Sequence, residues 1–139
     1  MTDNAKTAAH IHALFCAGKL EAVLDLATDD IEVQLTPTGQ TFRGREGFMQ
    51  FMHVFKTAFP DIQIKHTNAV CDGDQVVVEA TWNATHGGPL LSPAGTIPAT
   101  GKRVAESRIC EVMKFRGGKL AKLVNYQDFG SWLRQLGLA

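Results

Sequence analysis

Between Ile62 and Tyr126 the chain reads as four long strands in succession, and that run decides most of what it can become. Ile62 and Ile64 open the first, which runs to Cys71. Asp72-Gly73-Asp74 is a hairpin turn, and Val76 to His86 is the second strand. An irregular stretch rich in Gly, Pro and Ser follows from Gly87 to Thr100. Lys102 to Phe115 is the third strand, and Gly117-Gly118 turns it into the fourth, Leu120 to Tyr126. Tight turns join antiparallel strands, so these four form a meander, and one of its faces has to be covered.

The cover comes from upstream. Ala8, Ile11, Leu14 and Phe15 recur at helical spacing until Gly18, and Leu20, Val23, Leu24 and Ala27 give a second short helix. Ile31, Val33 and Leu35 alternate with Glu32 and Gln34, as in a half-buried strand. Thr36-Pro37-Thr38-Gly39 is a turn. From Arg45 to Phe59, the residues Phe48, Phe51, Met52, Phe55 and Phe59 form one apolar stripe, and Pro60 ends the helix. Ser131 to Leu138 closes the chain as a short helix. Helices first and strands after predict α+β: a curved, cone-shaped mixed or antiparallel sheet packed on three N-terminal helices. The pocket inside it would be lined by inward strand residues and by the Phe48–Phe59 helix, Phe51 and Phe55 included.

A length of 139 residues fits a single domain, 1–139. Hydrophobic residues make up 45% and charged ones 20%, which excludes disorder. Fourteen basic and fourteen acidic residues cancel and form no basic block, so neither nucleic acid nor an anionic membrane is an expected partner. No apolar run approaches the ~20 residues of a membrane span. Met1-Thr2-Asp3-Asn4 lacks the start of a signal peptide, and a cytoplasmic location is expected. Cys16, Cys71 and Cys110 are odd in number and make no CxxC pair. Neither a disulfide framework nor a metal site is expected.

Asp128 is the carboxylate in the most suggestive setting. It lies where the last strand runs out, among Val124, Tyr126, Phe129 and Trp132, with the amides of Asn125 and Gln127 nearby. An apolar wall raises a carboxyl pKa and strengthens it as a base. The same residue can instead cap the closing helix. Strand parity puts Val124, Tyr126 and Asp128 on one face and Asn125 and Gln127 on the other, unless a bulge intervenes. His86 ends the second strand on the Trp82 face, placed either to donate to a substrate or to make a structural hydrogen bond. Trp82 is core or pocket wall. Glu111 shares a face with Ile109, Met113 and Phe115, where a charge is costly unless it lines a pocket. His10, His12 and His66 show no partner spacing and are read as ordinary structural or surface residues.

The ordered pieces resemble the SnoaL-like polyketide cyclases (ester cyclases) of the nuclear transport factor 2-like superfamily. They are Gly44-Arg45-Glu46-Gly47-Phe48, Phe59-Pro60-Asp61, Gly73-Asp74, Trp82, Thr85-His86-Gly87-Gly88, Pro98-Ala99-Thr100-Gly101-Lys102, Phe115-Arg116, Gly118-Lys119-Leu120, Asp128 and Leu133-Arg134-Gln135-Leu136-Gly137. The resemblance implies a cystatin-like α+β barrel and a homodimer formed through the sheet's outer face. It also implies no metal or organic cofactor, and an aspartate at Asp128 acting as acid and base in an aldol ring closure. Asp128 and His86 are then the expected catalytic residues. Trp82, Glu111, Asn125, Tyr126, Phe51 and Phe55 are expected to bind an apolar carbonyl substrate. Leu123-Val124 stands where the family often has a histidine-tryptophan pair, and Lys114 where ring-closing members tend to have a histidine. Two other functions stay open on the same fold: a non-catalytic binding or dimerisation module, and an epoxide-opening hydrolase using Arg108, Asp128 and Asn125.

Overall fold

The computed structural model describes residues 3–139. The helices are α1 (Asp3–Cys16), α2 (Leu20–Leu24), α3 (Gly44–Ala58) and α4 (Phe129–Gln135). The strands are β1 (Ala27–Leu35), β2 (Gln40–Arg43), β3 (Gln63–Asp72), β4 (Gln75–Thr85), β5 (Leu90–Ser92), β6 (Gly95–Ile97), β7 (Arg103–Arg116) and β8 (Lys119–Gln127). Six strands form one sheet in the order β2-β1-β8-β7-β4-β3; β5 and β6 pair separately as a hairpin. The meander β3-β4-β7-β8 is antiparallel throughout, and β1 joins it parallel to β8. The mixed α+β architecture expected from the sequence is therefore the one observed.

Bulges curl this sheet. The registers shift between Ala27 and Glu32, between His66 and Asn68, between Trp82 and Ala84, and between Lys114 and Phe115. An extra residue on one strand bends it and increases its twist. Opposite Asn83, Glu106 adopts a left-handed φ of 51°, and its N–H donates to Asn83 Oδ1 at 3.1 Å. The concave side faces α1 and α3. The α3 stripe is buried as its spacing predicts: Phe48, Phe51, Met52, Phe55 and Phe59 are all under 10% exposed. Phe59, Trp82 and Trp132 meet edge to face near the core centre.

Two short elements were not anticipated. β2 is four residues long, and β5–β6 turns the irregular Gly87–Thr100 stretch into a hairpin with only three residues per strand. Gly87-Gly88 stands directly in front of it. In the structure both N–H groups donate to Ala58 O, at 3.1 and 3.2 Å, which stitches the segment to the end of α3. A Cβ on Gly88 would lie 2.1 Å from Thr57 O, so only glycine permits this approach. No helix among the described residues is long and apolar enough to cross a membrane.

Candidate functional site

Alternation along β7 and β8 sets the site. Glu111 and Asn125 are directly paired across these strands and both point inward; Gln127 is the next inward residue of β8. α1 lies over the same region and presents Ile11 and His12, because Ala5, Ala8 and His12 continue its buried face at steps of three and four. The resulting cavity has a volume of about 60 Å³. Phe51, Phe55, Trp82, Ile109 and Leu123 make its apolar wall, and His12, Glu111, Asn125 and Gln127 its polar end.

The polar groups form one chain. His12 Nε2 hydrogen-bonds Glu111 Oε1, and Asn125 Nδ2 donates to Glu111 Oε2 at 2.7 Å. Gln127 Nε2 donates to Asn125 Oδ1 at 2.7 Å, and Trp132 Nε1 donates to Gln127 Oε1 at 3.1 Å. On the other side, His12 Nδ1 meets Nε2 of the half-buried His66 on β3. Glu111 is only 4% exposed. Burial pushes its carboxyl upward. The charge and hydrogen bond of His12, the Asn125 amide and the more distant His66 outweigh that and hold it below the ordinary glutamate value. His66 is held below the ordinary histidine value, first by burial and then by His12. Glu111 is therefore an anion near neutral pH and His66 is neutral. An anionic Glu111 accepts from the His12 Nε2–H. His12 and His66 then share one proton between Nδ1 and Nε2, a path from the buried carboxylate towards the surface.

Five of the eight expected site residues meet here: Phe51, Phe55, Trp82, Glu111 and Asn125. Three do not. Asp128 is exposed, not shielded by apolar residues; its Oδ1 accepts the Ser131 N–H at 3.0 Å and caps α4. Its residue type at a strand-to-helix junction satisfies an orphan helix donor, which is the alternative role the sequence left open. Tyr126 is 48% exposed because strand parity holds through β8 and turns it to the convex face. His86 is fully buried outside the cavity. Its Nδ1 accepts the Thr100 N–H at 3.2 Å and lies 3.0 Å from Thr100 Oγ1, fastening the chain before and after the hairpin. Burial lowers the His86 pKa, opposed by the Gly88 backbone. Arg108 is also exposed, so the epoxide-opening trio is not assembled. Sequence reasoning read His12 and His66 as ordinary residues and noted Gln127 only as an amide near Asp128. Among the described residues no group of three or more His, Cys, Asp or Glu side chains is placed to hold a metal ion.

A curled six-stranded sheet closed by N-terminal helices, with a pocket in its concavity, is the nuclear transport factor 2-like or ketosteroid isomerase-like fold. The model of the SnoaL-like polyketide cyclases matches residues 6–136, and the chain belongs to that family. A protein assigned as a SnoaL-like polyketide cyclase from Jannaschia sp. CCS1 superposes with a TM-score of 0.87 at 20% identity, covering 99% of this chain and 94% of that one. IdmH, assigned as a polyketide cyclase of Streptomyces antibioticus, gives 0.80 at 25% identity, with 98% and 99% covered. TerC, crystallised with polyporic acid, gives 0.75 at 20% identity, with 98% and 99% covered. No protein of curated function matches the sequence.

Proposed function

We propose that this chain is a proton-transfer enzyme of cyclase or isomerase type, acting on an apolar carbonyl compound with Glu111 as its acid and base. The observation that carries this reading is a carboxylate 4% exposed, at the polar end of a mainly apolar cavity, yet held ionised by His12 and Asn125. Family membership supplies the reaction class.

In an aldol ring closure, Glu111 removes the proton from a carbon flanked by carbonyls. Each amide nitrogen of Asn125 and Gln127 carries a second hydrogen beyond the one already engaged, and these can donate to the enolate oxygen. The enolate carbon attacks a second carbonyl carbon in the same molecule. The π pair of that carbonyl moves to its oxygen, which takes the proton back from Glu111. Atoms and charge balance with no co-reactant. His12 is a positioning residue: it fixes one carboxylate oxygen and passes charge towards His66. The aspartate that the resemblance makes catalytic, Asp128, is assigned the helix cap.

Glu111→Gln preserves shape and should lower turnover of an aromatic β-keto ester by at least about a hundredfold. Asp128→Asn should keep both turnover and stability, since asparagine caps a helix as well as aspartate does. The opposite pattern returns the acid–base role to Asp128. Binding of the ester without turnover in the unmodified protein supports the non-catalytic module instead, a reading favoured by the small size of the Glu111 cavity.

Homodimerisation through the convex face belongs to the same reading. Val70, Val77, Val112 and Val124 are consecutive register partners across β3, β4, β7 and β8. They form an outward apolar row beside Tyr126, with Val70 itself 55% exposed.

A further inference from the structure

The polar end and the room for a substrate are in different places. The cavity at Glu111, about 60 Å³, has room for roughly four waters at ~15 Å³ each, the scale of a small acyclic group. A polycyclic ring system does not fit there. A second cavity of about 320 Å³ lies under the β5–β6 hairpin, walled by Phe42, Val54, Phe55, Leu90, Trp132 and Leu133. The two have one residue in common, Phe55. They also share a bonded wall: Trp132, on the second cavity, donates to Gln127, on the first. Phe55 thus has empty space on two sides, unlike a ring in a close-packed interior, while its ring packs edge to face on Phe51 at 5.4 Å.

The second cavity also has a chemical preference. The hydroxyls on its border are already engaged: Thr38 Oγ1 donates to Gln40 Oε1 at 2.9 Å, and Ser92 Oγ donates to Gly95 O at 2.7 Å. A polar guest would lose its hydration with little in return, whereas hydrocarbon or aromatic surface loses nothing.

We propose that the two cavities are the two chambers of one site, with Phe55 as the swinging wall between them. The substrate is elongated: a compact β-dicarbonyl head enters the Glu111 chamber, and a long alkyl or polycyclic body fills the chamber under the hairpin. This rests on the proposed function for the identity of the head, but not for the place of the body.

The test is a binding series of β-diketones, from acetylacetone through homologues lengthened at one end up to a decyl chain, read by calorimetry and by quenching of Trp132. Affinity should rise by about fourfold per methylene once the chain passes Phe55. Val54→Trp fills the second chamber without touching the first. It should abolish that rise while leaving acetylacetone binding unchanged. Phe55→Ala should strengthen binding of the long members. A crystal soaked with a bromonaphthyl β-diketone should place the bromine under the hairpin, which keeps the proposal testable if Val54→Trp does not fold. Affinity that is flat along the series, absence of binding, long-chain binding untouched by Val54→Trp, or bromine elsewhere overturns it. Glu111→Gln separates the two claims. It should retain the length dependence, so a wrong assignment of the base leaves this result standing, and a failed length dependence leaves the base untouched.

Discussion

Glu111 and His12 stand 99 residues apart in sequence and share one hydrogen bond in the interior. A buried ion pair is costly to assemble, and removing one partner strands the other charge. His12→Leu should therefore destabilise the fold by about 3–5 kcal/mol, measured by urea unfolding. The titrating groups make a second prediction. His66 and His86 have folded pKa values below their ordinary 6.5, so the unfolded chain binds protons more readily than the folded one. Their contribution to stability is full above pH ~6.5 and falls as pH drops through that value towards the lowered ones. Glu111, also lowered, adds a further loss below about its ordinary 4.5. The unfolding midpoint should thus decline in two stages, the first below about pH 6.5 and the second below about pH 4.5, and His66→Gln should weaken the first. Why the sequence showed Glu111 and hid its partner is a matter of context. Glu111 sits on a strand of alternating apolar residues, so its misfit is local. His12 falls on an alanine-rich helix, where the stripe Ala5, Ala8, His12 is faint and the group that satisfies the imidazole comes from another element.

Elements of strong periodicity were legible. The α3 stripe, the four-strand meander and the turns at Gly73 and Gly117-Gly118 form where spacing and glycine place them. β5 and β6 were not, because three residues are too few to show a period and their pairing depends on the surroundings. The strand-end aspartate was ambiguous for a related reason: the residue type that caps a helix is also one that can act as a base, and the cap bond to Ser131 and the exposure of Asp128 are visible only in the fold. Parity was the better guide, since it turned Asn125 and Gln127 inward and Tyr126 outward without any bulge in that part of β8. The junction of α3 with the Gly87-Gly88 segment carries its own prediction. Gly88→Ala forces a methyl against the Thr57 carbonyl and should cost about 1–3 kcal/mol, measured by thermal or urea unfolding. Gly73→Ala, with no atom within 4 Å, should cost less, from its positive φ alone.

At the scale of the whole molecule, the sheet has a concave side covered by helices and a convex side crossed by the valine row. Val112→Lys would place a third lysine beside Lys114 and Lys122 on that face. Light scattering should then report a monomer for this variant and a dimer for the unmodified protein; an equal mass for both would remove the convex face as the interface. The parallel pairing of β1 with β8 has a consequence for synthesis. β8 lies between β1 and β7 and joins the two halves of the sheet, yet it is the last strand to leave the ribosome. Until it arrives, β1 has no meander edge to pair with, and Glu111 lacks its Asn125 partner. A chain that has made β3, β4 and β7 but not β8 holds an open, sticky half-sheet, and a fragment cut short before residue 119 should aggregate rather than wait.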